Sequence, residues 1–262
     1  MSVTENGATP LLEGKNISKF FGGMAALSNV DFTVYPNEVV GLIGPNGSGK
    51  TTLFDCLSRV QSISEGQVFF KGEEITKKKP FQVAHMGLAR TFQVIRVYRK
   101  LTVLENLKLS RQWGDGGLSS RFRRPRQATE DRARELAKFL LLERVIDEKA
   151  GNLSGGQQRL LEIGMALMPD PELILLDEAT SGVNPTLIET IKDRIRELNQ
   201  NYGKTFLLIE HNIQFIADLC DRVFVLNYGQ KLAEGTPQEI MDNEDVVEAY
   251  FGTDAEVDYD DE

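Results

Sequence analysis

Val30, Phe32 and Val34 alternate with Asp31 and Thr33, the period-two signature of a half-buried antiparallel strand. With the residues before it, this pattern predicts strands and a turn between Leu11 and Val34. Val39 to Ile43 is instead a short continuous apolar run, as expected of a strand covered on both faces. It ends in Gly44-Pro45-Asn46-Gly47-Ser48-Gly49, and a helical stretch follows through Leu57. Gly66 to Phe70, then Lys71-Gly72, reads as a further strand and turn.

The middle of the chain changes character. Thr102 to Arg111 and Thr129 to Leu142 have helical periodicity, the second with Ala133, Leu136, Ala137 and Leu140 on one face. Gly114 to Arg126 between them is rich in glycine, serine and arginine and reads as a loop. After Ser154 a helix is expected to Met168. Strands at Leu173–Leu176, Thr205–Ile209 and Val223–Leu226 then alternate with helices at Pro185–Gln200 and Asn212–Leu219.

Such alternation means a parallel sheet with covered faces. The expected fold is therefore α/β: a P-loop core with an N-terminal antiparallel β subdomain and an inserted α-helical subdomain. The expected segments are a polar tail at 1–10, the core at 11–93 and 167–252, the helical insert at 94–166, and an acidic tail at 253–262. That tail has nothing to bury and is expected to stay unfolded.

Composition narrows the function. With 262 residues, 41% hydrophobic and 26% charged, the chain can bury a substantial core and is not fibrous. A net charge of -9 argues against broad attachment to nucleic acid, which needs a basic face. Cys56 and Cys220 lack metal-like spacing and read as reduced, buried thiols. Met1 to Pro10 lacks the pattern of a secretory signal, and no apolar run approaches the roughly 20 residues that cross a bilayer. Any membrane role would run through spanning partners, from the cytoplasmic face.

Gly44 to Thr51 matches G-x-x-x-x-G-K-[ST] at every fixed position, after a buried strand and before a helix. Small residues let the backbone curl so that successive N–H groups point at phosphate oxygens, and the helix adds its positive end. Gly44, Asn46, Gly47, Ser48, Gly49, Lys50, Thr51 and Thr52 are the candidate phosphate ligands. Lys50 would reach the β- and γ-phosphates, and the Thr51 hydroxyl would hold Mg²⁺. No guanine-reading Asn-Lys-x-Asp element is present, which favours ATP.

Leu173 to Leu176 leads into Asp177-Glu178, two carboxylates beyond the carboxyl end of a strand, where α/β sheets bind ligands. Asp177 is a candidate Mg²⁺ ligand, and Glu178 the candidate base or water-orienting group for attack on the γ-phosphate. An apolar strand before Asp-Glu is common by itself; downstream of a phosphate loop it acquires meaning.

Leu153-Ser154-Gly155-Gly156-Gln157-Gln158 is the discriminating feature. Ser154 can cap the next helix, while Gly155 and Gly156 let its N-terminus approach an anion. The string resembles the signature of the ABC ATPase family, and the resemblance extends over roughly Leu11 to Gly252. It implies that Gln93 is the Q-loop residue contacting Mg²⁺ or the attacking water. It implies that His211 contacts the γ-phosphate, and that Phe21 stacks on adenine. Phe20 could instead take that place, or both could be core. The family places the signature of one subunit (Ser154, Gly155, Gly156) over ATP held by the other's phosphate loop. The resemblance thus implies a second ATPase subunit, identical or related, and transmembrane permease subunits. Asn184 stands where most members carry Asp, and Ala179 where proline is more usual. Asn184 before Pro185 still suits a helix N-cap.

Gly87-Leu88-Ala89-Arg90-Thr91-Phe92-Gln93, Leu101 to Leu107, Gly182-Val183-Asn184-Pro185 and Val247 to Gly252 look like importers of branched-chain and other hydrophobic amino acids, which also work with a solute-binding protein. The loop around Trp113 agrees. Urea and short-amide importers have similar ATPase subunits, and a lipopolysaccharide-export ATPase is a more distant likeness. A different class, soluble ABC ATPases acting on nucleic acid or ribosomes, usually shows two cassettes or long heptad repeats, and neither is here. A catalytically silent regulator conflicts with the joint presence of Lys50, Gln93, Asp177, Glu178 and His211. The cluster Arg121, Arg123, Arg124 and Arg126 reads as a solvated loop, with anionic lipid as the alternative.

Overall fold

The computed structural model describes residues 9–91, 96–112 and 126–251, with Gln112, Arg126 and Phe251 as backbone only. Gln93, the loop around Trp113 with Arg121, Arg123 and Arg124, and most of both tails lie outside the described residues. The chain forms two compact units: Met1–Lys78 with Leu207–Glu262, and Lys79–Phe206.

The first unit opens with β1 (Leu12–Phe21) and β2 (Met24–Val34), joined at Gly22-Gly23. The alternation in β2 is realised: Val30, Phe32 and Val34 are buried and Asp31 is exposed. Next come β3 (Val39–Ile43), α1 (Lys50–Leu57), β4 (Glu65–Phe70) and β5 (Glu73–Glu74). β1, β2, β4 and β5 form an antiparallel sheet in the order β2-β1-β4-β5. All five residues of β3 are buried, as the unbroken apolar run requires. Each large aliphatic side chain buried there contributes about 1.5–3 kcal/mol.

The second unit begins with α2 (Pro80–His85) and β6 (Leu88–Arg90). Three helices follow: α3 (Val103–Gln112), α4 (Arg126–Phe139) and α5 (Gly155–Leu167). The periodicity of α4 was legible, but its ends were not. It closes at Phe139, three residues before the expected Leu142, because Leu141 takes a left-handed φ of 59°. Leu140 and Leu142 are nevertheless fully buried, so hydrophobic spacing there carries on through a turn. Asn106 ties down the segment before α3: its Oδ1 accepts from the Tyr98 N–H at 2.8 Å, and its Nδ2 donates to the Thr102 carbonyl at 2.8 Å. β7 (Leu173–Asp177) lies parallel to β6, with Leu88 opposite Leu173 and Arg90 opposite Leu175. α6 (Pro185–Tyr202) ends at Gly203, whose φ of 62° suits a helix stop. β8 (Thr205–Ile209) carries the chain back to the first unit.

There α7 (Ile213–Leu219), β9 (Arg222–Asn227), β10 (Gln230–Gly235), α8 (Pro237–Met241) and α9 (Glu244–Phe251) complete the fold. β9 runs parallel to β3 and pairs antiparallel with β10. The architecture is α/β with an N-terminal antiparallel sheet and a helical segment in the middle of the chain, as expected. Among the described residues, no helix is long and apolar enough to cross a membrane.

Candidate functional site

The turn from β3 into α1 is shaped for an anion. Gly49, the residue before α1, has φ 104°, and a Cβ there would sit 2.7 Å from the Ala26 carbonyl. Gly44 has φ 151°, and a Cβ there would overlap the Leu226 carbonyl. Only glycine fits either place, so the motif's two fixed glycines have a steric reason. The loop is pinned from the turn between β9 and β10, where the Gly229 N–H donates to the Ser48 carbonyl at 2.9 Å.

Lys50 is buried, its Nζ donating to the Gly44 carbonyl at 2.7 Å and the Pro45 carbonyl at 2.9 Å. The ammonium thus lies over the concave side of the loop. Ser48 Oγ is buried with no hydrogen-bond partner among the described residues. An orphaned hydroxyl, a curled backbone and an adjacent ammonium are what a phosphate would satisfy. Thr51 is exposed, at the first turn of α1. These residues fit a nucleotide phosphate and its cation.

Phe21 ends β1, opposite Met24, and the loop rests on Ala26 two residues further along β2. Phe20 and Phe21 are 41% and 45% exposed, which removes the option that both are core. Lys19 Nζ lies 5.0 Å from the Phe21 ring centroid. His211 follows β8 and is exposed. Next to it Asn212 caps α7, its Oδ1 accepting from the Phe215 N–H at 3.0 Å. α7 packs on the strand that feeds the phosphate loop: a Cβ on Gly41 would meet Ile216 at 3.0 Å and the Cys220 sulfur at 3.2 Å.

Asp177, Glu178 and the Ser154 turn belong to the second unit. Asp177 is 2% exposed, and its Oδ2 lies 3.3 Å from Arg90 Nη2. Its backbone N–H donates to Thr91 Oγ1 at 3.2 Å. Glu178 is half-buried with φ 49°, a left-handed conformation that costs a non-glycine residue about 1–3 kcal/mol. Its carbonyl accepts from Arg159 Nη2 at 3.1 Å. Arg159 is itself 2% exposed and paired with Glu162 at 2.8 Å. Arg159 and Arg90 escaped the sequence reading. For Arg159 the signal existed: an arginine beside Leu160 and Leu161, on the same helix face as Ile163.

Ser154 forms a capping box with Gln157. Its Oγ accepts from the Gln157 N–H at 3.3 Å, and Gln157 Oε1 accepts from the Ser154 N–H at 3.0 Å. Gly155 has open space around it, whereas a Cβ on Gly156 would clash with Leu187 of α6. Asn184 caps α6, its Oδ1 accepting from the Leu187 N–H at 2.9 Å, so the amide keeps the capping geometry expected of it.

A glycine-walled turn with a buried ammonium and an orphaned hydroxyl, an acidic pair closing a buried strand and a serine-capped glycine turn are the parts that a nucleotide-hydrolysing cassette needs. Comparison with known proteins specifies it. Residues 27–181 match the ABC transporter family model, and residues 230–256 match that of the branched-chain amino acid ATP-binding cassette transporters. The chain is 38% identical to the probable branched-chain amino acid transport ATP-binding protein LivG of Archaeoglobus fulgidus, over 92% of this chain and 95% of that one. It is 39% identical to the high-affinity branched-chain amino acid transport ATP-binding protein LivG of Escherichia coli (strain K12), over 93% and 98%. A crystal structure of the ADP conformation of an ABC transporter cassette superposes with a TM-score of 0.84 at 37% identity, covering 94% of this chain and all of that one. A dimeric post-hydrolysis cassette bound to ADP and phosphate gives 0.77 at 27% identity, over 86% and 98%. The chain belongs to the ATP-binding cassettes of ABC transporters, ATPases coupled to transport, in the branch typified by the branched-chain amino acid transport ATP-binding proteins.

Proposed function

We propose that this chain is the ATP-hydrolysing subunit of an importer for branched-chain or other hydrophobic amino acids, driven by ATP-dependent closure of two such subunits. The observation that carries it is the cradle of Gly44 to Thr51, with Lys50 over the loop carbonyls and Ser48 Oγ unsatisfied, in a chain whose relatives carry that transport name. Phe21 stacks on adenine. Gly44, Asn46, Gly47, Ser48, Gly49, Lys50, Thr51 and Thr52 hold the phosphates. Thr51, Gln93 and Asp177 would hold Mg²⁺, which supplies charge neutralisation on the phosphate oxygens.

Glu178 takes or orients the proton of the attacking water, and His211 and Gln93 position the reacting groups. Ser154, Gly155 and Gly156 close on the partner subunit's ATP, consistent with the dimeric relative. Closure does work only if ATP binds the closed pair better than the open one. In this reading the helical segment 94–166 passes that motion to permease subunits in the membrane, and a solute-binding protein delivers the amino acid. The chain sits on the cytoplasmic face of the membrane through these partners.

Glu178→Gln tests the mechanism: it is expected to keep ATP binding, lose turnover and accumulate closed dimers. Normal ATPase rates in that variant would sink the assignment. Affinity capture from native membranes, with mass spectrometry, tests the transport reading. Two multi-span proteins and a receptor loaded with a hydrophobic amino acid are expected. A receptor loaded with urea or a short amide would overturn the solute, and recovery with ribosomal proteins or DNA-repair factors would overturn transport.

A further inference from the structure

Asp177, the candidate metal carboxylate, is held by two consecutive residues with no assigned part in the chemistry. β6 runs parallel to β7, with Leu88 opposite Leu173 and Arg90, its last residue, opposite Leu175. Thr91 continues that ladder, its N–H donating to the Leu175 carbonyl at 2.9 Å. Residues paired across strands point to the same face, and so do residues two apart within a strand. Arg90, Leu175 and Asp177 therefore share one face of the sheet. Two residues of strand rise about 6.6 Å, a span that a long arginine stem covers. The register brings Arg90 Nη2 to 3.3 Å from Asp177 Oδ2, with the two side chains 8% and 3% exposed. Thr91 is buried, and its Oγ1 accepts from the Asp177 N–H at 3.2 Å. Arg90 thus grips the carboxylate, and Thr91 grips the backbone that carries it.

Stability alone gives no reason for this arrangement. Enclosing a guanidinium and a carboxylate strips water from both, a cost that offsets most of their attraction, and apolar residues of similar volume do as well. Metal chemistry supplies a reason. A metal carboxylate binds best when its direction is fixed before the cation arrives, and outer-shell donors supply that order. A guanidinium suits the task because it stays charged and its planar fork restricts the carboxylate it meets. The contact also carries an opposing effect: a cation 3.3 Å from Asp177 repels a divalent ion. Removing the charge should weaken metal binding if orientation dominates, and tighten it if repulsion does.

We propose that Arg90, assisted by Thr91, is a positioning residue that orients Asp177 toward the divalent cation of the nucleotide complex. The proposal rests on the reading of Asp177 as a Mg²⁺ ligand. Mn²⁺ serves as the probe, because its paramagnetic resonance signal separates free from bound ion. It is titrated into the full chain and ADP at equal concentrations, well above the ADP Kd. Arg90→Met is expected to raise the Mn²⁺ Kd about tenfold or more, the usual cost of removing an outer-shell partner. Arg90→Lys keeps the charge without the fork and should fall between. Metal-free ADP affinity, by calorimetry in EDTA, should change less than about twofold in both, since the phosphate loop belongs to the other unit. A purely structural role would not separate these two affinities.

Unchanged or tighter Mn²⁺ binding by Arg90→Met would overturn the proposal, the second by making Arg90 a competitor of the cation. Mn²⁺ and metal-free ADP affinities that weaken together would also overturn it, leaving Arg90 a general support of the fold. Should Arg90→Met fail to fold, Thr91→Val decides. It is similar in shape, leaves every charge in place and removes the acceptor of the Asp177 N–H. It is expected to raise the Mn²⁺ Kd about three- to tenfold, and an unchanged value would overturn the proposal. Asp177→Asn separates the inference from the reading beneath it. If that variant binds Mn²⁺ as well as the unmutated chain does, Asp177 is no metal ligand and both fall. If it loses Mn²⁺ while Arg90→Met keeps it, the inference falls alone.

Discussion

Replacing Arg159 should separate stability from catalysis in this protein. Its guanidinium is 2% exposed, pairs with the buried Glu162 at 2.8 Å and donates to the Glu178 carbonyl at 3.1 Å. Arg159→Met keeps most of the stem volume and removes the charge that faces the buried Glu162 carboxylate. Breaking one side of such a pair costs about 3–5 kcal/mol, a large share of a total stability of about 5–15 kcal/mol. Replacing both members by apolar residues is near neutral, because two desolvation penalties vanish with the attraction. Arg159→Met with Glu162→Leu should therefore recover most of the lost stability in urea unfolding.

It should not recover hydrolysis. Glu178 sits in a left-handed conformation that needs outside support, and the charge-assisted bond from Arg159 is worth about 1.5–3 kcal/mol. At 1.4 kcal/mol per decade, its loss should lower kcat about tenfold or more in both variants, with ATP affinity retained. A single variant that loses less than about 1 kcal/mol would refute the buried-pair argument. A stable double variant with full kcat would refute the link to Glu178.

Lys50→Ala should lose nucleotide affinity by titration calorimetry, since the ammonium over the loop carbonyls is then gone; unchanged binding would remove the cradle argument. Asn184→Ala should cost about 1 kcal/mol in unfolding, the usual value of an N-cap, whereas Asn184→Asp should cost little because its oxygen can still accept from the Leu187 N–H. Burial pushes the Cys56 thiol up to about 11 and the Cys220 thiol higher still. At pH 8 only about a thousandth of Cys56 is thiolate, so both cysteines should resist a thiol reagent until the chain unfolds. Rapid labelling of the folded protein would contradict their placement in the core.

The candidate site was legible in local strings. Val39 to Ile43 leads into the glycine-rich Gly44 to Thr51, and Leu173 to Leu176 into Asp177-Glu178; both apolar runs keep their structure because burial on both faces leaves them one option. For the same reason the strands at Val39–Ile43 and Thr205–Ile209 have the bounds expected of them. The caps at Ser154 and Asn184 were equally local, since a capping side chain reaches only three residues ahead.

Tertiary structure decided what depends on partners distant in the chain. β6 and β10, short and partly polar, carry no usable period. They are strands because β7 and β9 lie alongside with backbone groups to pair. The apolar neighbours of Arg159 mark it as enclosed, but only the fold pairs it with Glu162 and aims it at the Glu178 carbonyl. Tyr250 looks like one more apolar residue in a terminal helix, and only the folded first unit lines one cavity with it and Ile43, more than 200 residues earlier in the chain. The sequence by itself determined which groups can touch a phosphate, because that follows from residue type and nearest neighbours. The fold alone determined which groups hold them in place, because positioning is a relation between segments that no local pattern encodes.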